Sequence, residues 1–326
     1  MKTQNLYNPF KEHKFSNAIC SISGKALTSP KDALTVWPKW IMKEYGLGEK
    51  KQTMLDDSSK NLDEFVIPCS PGIKSMFEAI DHKVEKAFAD GIDAIQAIGN
   101  ETWCVWFGRI FYGYLYHEVI AVLGNDRPDA YVGEALNEKF TSWFELFRGL
   151  LMGARPEGFE VCSVFKFKVD TTRTEENFEF RDELKTQNFT LRLGEIGIII
   201  SFLDQGLLEE TFENLSIKTS SQILHPAQFN EWEANVYYGA YLIGETPIYS
   251  VVSEGDESII KRSERKASKR TILMDWEGKM FSQVLEAVWK KFGVPKNTIF
   301  HEPDEVKSYL LDRNGDFITI DKLDHE

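Results

Sequence analysis

The chain has 326 residues, of which 42% are hydrophobic and 13% aromatic, and its formal net charge is −13. This composition suffices for two or three domains with buried cores and excludes a disordered chain. No apolar run reaches the roughly 18 residues of a membrane span, and the acidic balance argues against nucleic-acid binding by the whole surface.

The N-terminal segment and the cysteines bear on the cellular compartment. The N-terminal segment lacks an apolar signal core. The four cysteines, at positions 20, 69, 104 and 162, are too few and too scattered for a disulfide framework. We therefore expect a cytoplasmic protein with no membrane partner.

Predicted elements in the first half are short segments followed by long helices. Strands are predicted at 17–20 and 33–37, a short helix at 39–45 and a loop at 48–63. Apolar side chains at helical spacing predict a helix over 73–89. Further helices are predicted at 92–98, 103–123 (buried) and 134–149, with a turn at 125–128.

The composition changes after residue 155. Partial alternation predicts strands at 161–169, 189–193 and 196–203. Helices follow at 227–242 and, with a clear amphipathic pattern, at 281–292. The charged composition of residues 253–270 predicts a linker or exposed arm. A final strand is predicted at 317–320.

Two cysteines each begin half of a zinc knuckle. Cys20 is followed three residues later by Ser23, and Cys69 is followed three residues later by Gly72. A closed structural zinc site takes four ligands, so a knuckle needs Cys-x-x-Cys. Serine is a poor zinc ligand and glycine has no side chain, so each knuckle lacks one ligand.

With the intervening Leu-Thr-Val-Trp-Pro-Lys-Trp-Ile at 34–41, these segments resemble a bacterial family with an HNH-type treble-clef motif. Members carry a Cys-x-x-Cys-Gly knuckle, a Glu-His-Val-x-Pro-Lys-Trp-Leu segment, and a second Cys-x-x-Cys that begins a helix. The resemblance covers residues 17–90. It implies metal-dependent phosphodiester cleavage with a histidine as general base. Here Thr35 and Leu34 occupy the histidine and acidic positions, so we expect an inactive pseudo-nuclease without catalytic residues.

If the metal is lost, hydrophobic side chains must hold the knuckles together. The expected fillers are Trp37, Trp40, Phe65 and Ile73, because large aromatic side chains bury the most area. Cys20 and Cys69 are then vestigial metal positions, buried as ordinary cysteines, and no cofactor is expected. The alternative is a residual metal site completed by His13 or His82.

A basic stretch at 261–270 stands out in this acidic chain. Its basic residues are Lys261, Arg262, Arg265, Lys266, Lys269 and Arg270. One interpretation is a nucleic-acid-binding arm that follows phosphates. The other is a solvated loop whose charges balance Glu254, Asp256 and Glu257.

Two further motifs fail on inspection. A zinc protease would need a second histidine one helical turn after His117-Glu118, but Ala121 occupies that position. We therefore expect the His117 ring to form a hydrogen bond within a packed core. Asp312 to Asp316 contains Asn-Gly and predicts a turn rather than a calcium loop. Neither motif therefore supports a catalytic or metal site.

The predicted fold class is α+β. It comprises a metal-free treble-clef-like subdomain (1–90), a helical region (91–155), a mixed α/β region (156–252), a charged linker or arm (253–270) and a C-terminal α/β region (271–326). The leading hypothesis is a non-catalytic binding protein whose partner is a protein or, through the basic stretch, nucleic acid. The alternatives are a divalent-metal nuclease and a small-molecule-binding protein with an apolar cavity.

Overall fold

The computed structural model describes residues 2–3, 6–12, 15–29, 31–54, 56–124, 134–244, 247–263, 273–301 and 305–323. Its α-helices are α1 (Pro9–Glu12), α2 (Lys39–Glu44), α3 (Pro71–Asp90), α4 (Ile92–Gln96), α5 (Asn100–Gly124), α6 (Glu134–Leu151), α7 (Leu207–Thr211), α8 (Glu213–Thr219), α9 (Pro226–Tyr241), α10 (Gly278–Trp289) and α11 (Ile320–Leu323).

The β-strands are β1 (Lys2–Thr3), β2 (Ala33–Thr35), β3 (Lys51–Thr53), β4 (Ser59–Asn61), β5 (Val66–Pro68), β6 (Arg155–Pro156), β7 (Ser163–Val169), β8 (Phe178–Glu183), β9 (Asn188–Leu193), β10 (Ile196–Ser201), β11 (Ile223–Leu224), β12 (Tyr249–Glu254), β13 (Glu257–Arg262), β14 (Phe300–His301) and β15 (Glu305–Val306). Most of the strand pairs are antiparallel. The combination of helices with these sheets confirms the α+β prediction.

The chain forms two compact units, each assembled from distant stretches of sequence. Unit 1 consists of Met1–Asp90, Ile98–Val161 and Pro247–Glu264, and unit 2 of Gly91–Ala97, Cys162–Thr246 and Arg265–Glu326. The sequence analysis divided the chain into consecutive regions instead. Local patterns cannot show that residues near 250 pack with the N-terminal half.

Helix α5 is the centre of the core of unit 1. Every residue from Trp103 to Tyr116 is buried, as the apolar and aromatic composition of this stretch predicts. Its Phe111 meets Trp143 of α6 with ring centroids 4.9 Å apart. Gly113 permits a close approach, because a Cβ there would lie 2.1 Å from Cγ2 of Val36. The core therefore joins α5 to the chain that follows β2.

A two-stranded sheet and a long helix lie beside this core. Strands β2 and β5 pair antiparallel, with Leu34 opposite Ile67 and Thr35 opposite Val66. Helix α3 begins at Pro71 and buries Ile73, Phe77, Val84 and Ala87, which lie along one face. Unit 1 also contains a separate four-stranded sheet in the order β1-β12-β13-β6.

Unit 2 is built on a sheet in the order β11-β7-β10-β9-β8. Strands β9 and β10 are buried along their whole length. Helix α9 packs on the sheet through Trp232. Its ring centroid lies 5.1 Å from that of Phe165 and 5.0 Å from that of Phe167. His225 caps α9 by accepting a hydrogen bond from the backbone N–H of Ala227 at 3.1 Å.

Several local predictions differ from the structure. Residues 48–63 contain the β3–β4 hairpin instead of a loop, and the final strand at 317–320 is reduced to one bridge, Leu311 to Phe317, before α11. The charged stretch 253–270 includes strand β13, because Gly255 at φ 63° turns the chain into a hairpin. Strand β8 and helices α7 and α8 were not predicted. The turn predicted at 125–128 lies outside the described residues.

Within the parts of the chain that the structure describes, no helix combines the length and the apolar character that crossing a membrane requires.

Candidate functional site

The two cysteine segments come together in unit 1. The turn after Cys20 closes through its backbone, since Gly24 N donates to Cys20 O at 2.8 Å and Cys20 N donates to Lys25 O at 2.7 Å. Ser21 N donates to Pro68 O at 2.8 Å, which joins this turn to the end of β5. Both cysteines are buried and free of disulfides. The segments singled out in the sequence are thus neighbours in space.

Cys69 Sγ donates a hydrogen bond to the backbone O of Ser70 at 3.6 Å, and the two thiols influence each other's pKa. The hydrogen bond from Cys69 lowers the pKa of Cys20 to about 4, although burial opposes this. The pKa of Cys69 is raised, first by the same hydrogen bond and then by burial. The Ser23 side chain also hydrogen-bonds Cys20 and lowers its pKa. The opposite directions of these shifts indicate that the two thiols titrate as a coupled pair, in which Cys20 ionises first.

Metal ligands do not converge in the described part of the chain. No group of three or more His, Cys, Asp or Glu side chains there has an arrangement that could hold a metal ion. His13 lies outside the described residues, and His82 is exposed on α3. Of the predicted hydrophobic fillers, Trp37, Phe65 and Ile73 are buried, whereas Trp40 is half-buried.

A cleft of about 510 Å³ opens between the β2–β5 sheet, α2 and α3. Thr35, at the position where the resemblance places the catalytic histidine, lines it. Lys39, Lys43 and Lys74 line the cleft as well, together with Glu78, His82 and Glu85 of α3. Spacings of four and three residues place those α3 side chains on one helix face. The cleft thus combines cationic and acidic side chains.

The cationic side of the cleft is available to a partner. Lys39 and Lys43 are exposed and lie one helical turn apart on α2. Neither forms an ion pair with another residue in the described ranges. The buried indole nitrogen of Trp40, between them in sequence, also has no hydrogen-bond acceptor among the described residues. Exposed lysines are hydrated, whereas a buried N–H without a partner, such as that of Trp40, is uncommon in folded proteins.

An ion pair forms the floor of the cleft. Arg109 of α5 is buried, and its Nη1 lies 2.6 Å from Oδ2 of Asp81 on α3. Arg109 Nε also donates to Val36 O at 3.0 Å, and Trp106 Nε1 donates to Asp81 Oδ1 at 3.1 Å. Burial raises the pKa of Asp81 despite the opposing effect of Arg109. These bonds join α3, α5 and the end of β2, so they fix the shape of the cleft.

His117 has a structural position, as the sequence analysis expected. Its Nε2 lies 3.1 Å from the backbone N and 2.9 Å from the carbonyl O of Val66. Burial, and then the nearby charge of Lys60, lowers the pKa of His117 to about 4. The neutral imidazole therefore helps to hold β5 against α5.

The basic stretch is only partly described, and its described members have local partners. Lys261 Nζ lies 3.0 Å from Glu254 and 3.3 Å from Glu157. The guanidinium of Arg262 lies 5.5 Å from the ring centroid of Phe159. The pair with Glu254 agrees with the interpretation of a charge-balanced segment. The other predicted nucleic-acid contacts, Arg265, Lys266, Lys269 and Arg270, lie outside the described residues.

Unit 2 contains two cavities that the sequence analysis did not locate. One, of about 790 Å³, is lined by Phe212, Leu215, Trp276 and Phe281, with Asn235 and Lys279 as polar members. The other, of about 520 Å³, lies between the end of β8, α9 and α10. The aromatic clusters at 103–107 and 143–147 are core, as expected, so these cavities use other aromatic residues.

The Asn-Gly segment forms the turn that was predicted. Gly315 N donates to Asp312 O at 2.9 Å, and Gly315 has φ of 79°, which glycine adopts without strain. No protein-family model, curated protein or solved structure matches the chain.

Proposed function

We propose that the chain is a non-catalytic binding protein on a degenerate HNH-like scaffold, and that the cleft beside Thr35 is its binding site. The observation that carries the proposal is the position of Thr35 in the wall of this cleft. A threonine hydroxyl does not accept a proton near neutral pH, so it cannot replace a histidine as general base. Under this proposal the cleft corresponds to a nuclease centre that lacks its general base.

The side chains of the cleft favour a protein partner. Lys39 and Lys43 suit acidic side chains, while Glu78 and Glu85 suit basic ones, and such complementary pairs give specificity at an interface. A nucleic acid would meet those carboxylates and a chain of net charge −13. A protein surface with both signs of charge therefore fits the cleft better than a phosphate backbone.

Charge reversal tests the binding site. We expect that Lys39→Glu/Lys43→Glu removes a partner that the wild-type chain retains after cross-linking in cells of its source. The matched control is Lys25→Glu/Lys31→Glu, which reverses two exposed lysines of the same unit outside the cleft. Equal loss from both variants, or retention by both, would contradict the proposed site.

The alternative function, a divalent-metal nuclease, has its own test. Plasmid and RNA substrates should remain intact with Mg²⁺, Mn²⁺ or Zn²⁺. Metal-dependent nicking that a chelator abolishes, and that His82→Ala or Glu78→Gln also abolishes, would replace the proposal with the nuclease.

Metal content gives a second, independent test. Elemental mass spectrometry on tag-free, untreated protein should find far less than one zinc per chain, because Ser23 and Gly72 supply no thiolate. About one zinc per chain in folded protein would mean that other residues complete the knuckles, and the nuclease hypothesis would return.

A further inference from the structure

The cavity of about 790 Å³ in unit 2 has the composition of a small-molecule site and shares no residue with the cleft beside Thr35. Its volume falls within the range of roughly 300–1,000 Å³ that is common for ligand pockets. The apolar side chains of its lining are Phe212, Leu215, Trp276, Phe281, Val306 and Leu311. A few polar side chains complete the lining, and such a mixture can both bury and orient a ligand.

Trp276 forms an aromatic wall of the cavity that its neighbours hold in place. Its ring centroid lies 4.7 Å from that of Tyr238 and 4.7 Å from that of Phe281, and 6.2 Å from that of Phe212. The backbone N–H of Glu277 donates to the Tyr238 hydroxyl at 3.3 Å, which fixes the next residue of the chain as well. Trp276 is 42% exposed, so a planar ligand in the cavity would cover an ordered indole ring.

The packing of α9 places Asn235 on the face of the helix that meets this wall. Trp232, three residues earlier, has its ring centroid 6.0 Å from that of Phe212. At Gly239, four residues later, an added Cβ would lie 3.2 Å from the Phe212 ring. Residues three and four apart share one face of a helix, so Asn235 lies between two residues that contact Phe212. Its place in the lining agrees with this geometry.

The side-chain amide of Asn235 is the buried polar group of the cavity. Asn235 is 9% exposed, and its Nδ2 donates to the backbone O of Glu231 at 2.9 Å. This bond uses the amide nitrogen and leaves Oδ1 as an acceptor. No described residue donates a hydrogen bond to that oxygen. Buried polar atoms normally have a partner, so the oxygen favours a ligand that brings a hydrogen-bond donor.

The charges of the lining favour an anion. Lys218 of α8 and Lys279 of α10 stand against one acid, Glu277, which leaves one positive charge. Lys218 donates to the carbonyl of Gly315, and Lys279 forms no ion pair with a described residue. Gly278, the first residue of α10, also lines the cavity, and no side chain caps this helix. The partial positive charge of a helix N-terminus adds to that of the lysines.

We propose that this cavity binds a small aromatic acid whose ring carries an N–H donor, of the indole carboxylate class. The ring packs against Trp276, the ring N–H donates to Asn235 Oδ1, and the carboxylate lies toward the two lysines. A ring without a donor would leave the buried oxygen of Asn235 without a partner. A cation of the same shape would meet the excess of positive charge. The proposal concerns a second site and does not depend on the function of the cleft.

Titration calorimetry with indole-3-acetate on the full chain tests the proposal. Two matched probes each remove one group: tryptophol has a neutral alcohol in place of the carboxylate, and 1-methylindole-3-acetate has no ring N–H. We expect saturable binding of indole-3-acetate. Tryptophol should bind about tenfold more weakly, because it loses charge-assisted hydrogen bonds. The methylated acid should bind about fivefold more weakly, because it loses the donor to Asn235.

Variants assign each preference to its residue. Asn235→Leu should abolish the preference for indole-3-acetate over its methylated form. Lys218→Gln/Lys279→Gln should abolish the preference for indole-3-acetate over tryptophol and leave the affinity for tryptophol unchanged, which also verifies that the cavity persists. The control is Lys290→Gln, which removes an exposed lysine of the same unit outside the lining and should change neither preference.

Three results would each overturn the proposal. The first is no saturable binding of indole-3-acetate to the wild-type chain up to about 10 mM. The second is equal affinity of the wild-type chain for indole-3-acetate and tryptophol. The third is an unchanged preference in Asn235→Leu or in the double lysine variant, or equal loss of indole-3-acetate and tryptophol from the latter.

Discussion

Removal of the Asp81 carboxylate should destabilise unit 1 more than any surface substitution near the cleft. In Asp81→Ala, the guanidinium of Arg109 stays buried but loses the carboxylate that lies 2.6 Å from it. Trp106 Nε1 loses its acceptor as well. The perturbation therefore leaves one buried charge and one buried donor without partners.

The magnitude follows from the burial of the two groups. The side chain of Arg109 is 2% exposed and that of Asp81 16%. Removing one partner of a buried pair typically costs about 3–5 kcal/mol, mainly because the other charge stays desolvated. The lost bond from Trp106 adds about 1 kcal/mol. Burial raises the pKa of Asp81 even beside Arg109, so the intact pair itself contributes little net stability and the cost comes from the isolated arginine.

Hydrogen exchange measured by mass spectrometry on the full chain is the suitable assay, because a chain with two compact units need not unfold in one transition. Amides of α3 and α5 should lose about 4–6 kcal/mol of protection in Asp81→Ala. The control is His82→Ala, which truncates the adjacent exposed residue and should change protection by less than about 0.5 kcal/mol.

A double variant separates the two causes. In Asp81→Leu/Arg109→Met both charges are replaced by apolar side chains, and such replacements are often neutral or stabilising. We expect it to recover most of the protection that Asp81→Ala loses. A loss below about 1 kcal/mol in Asp81→Ala, or no recovery in the double variant, would refute the reasoning from an isolated buried arginine.

Three further predictions concern packing, pH and the basic stretch. Gly113→Ala should destabilise unit 1 by about 1–3 kcal/mol in hydrogen exchange, since its Cβ would lie 2.1 Å from Val36, while Gly72→Ala, with open space around it, should be neutral or slightly stabilising. Burial raises the pKa of Glu231 to about 7, so its stabilising contribution is complete below its unfolded pKa near 4.5 and is lost as the pH rises through 7. Urea unfolding of unit 2 should accordingly show less stability at pH 8 than at pH 5, by up to about 3 kcal/mol, and Glu231→Gln should flatten that slope; a slope of opposite sign would contradict this. Replacing Lys261 and the other five basic residues of 261–270 with glutamine should leave DNA and RNA retention at low salt unchanged, because Lys261 is paired with Glu254; a marked loss would support the nucleic-acid interpretation.

The candidate site was predictable only in part. The sequence located Thr35 and both cysteines, because these positions depart from a pattern of fixed spacing. It gave no signal for Lys39 and Lys43 as members of a cleft, since exposed lysines on a short helix are common.

The α+β class and the long helices were determined by the sequence itself. Helical spacing of apolar residues predicted α3 and α10, and continuous apolar composition predicted α5. A helix that buries one face needs apolar side chains at helical spacing, and a helix that is buried all round needs them at most positions. The tertiary structure alone decided that Pro247–Glu264 packs in the same unit as the N-terminal half. It alone decided that the segments of Cys20 and Cys69 lie together and that Arg109 reaches Asp81. Such contacts join residues far apart in the chain. Secondary-structure propensity depends on neighbouring residues in the sequence, so it cannot show which distant segment packs against a given helix or strand.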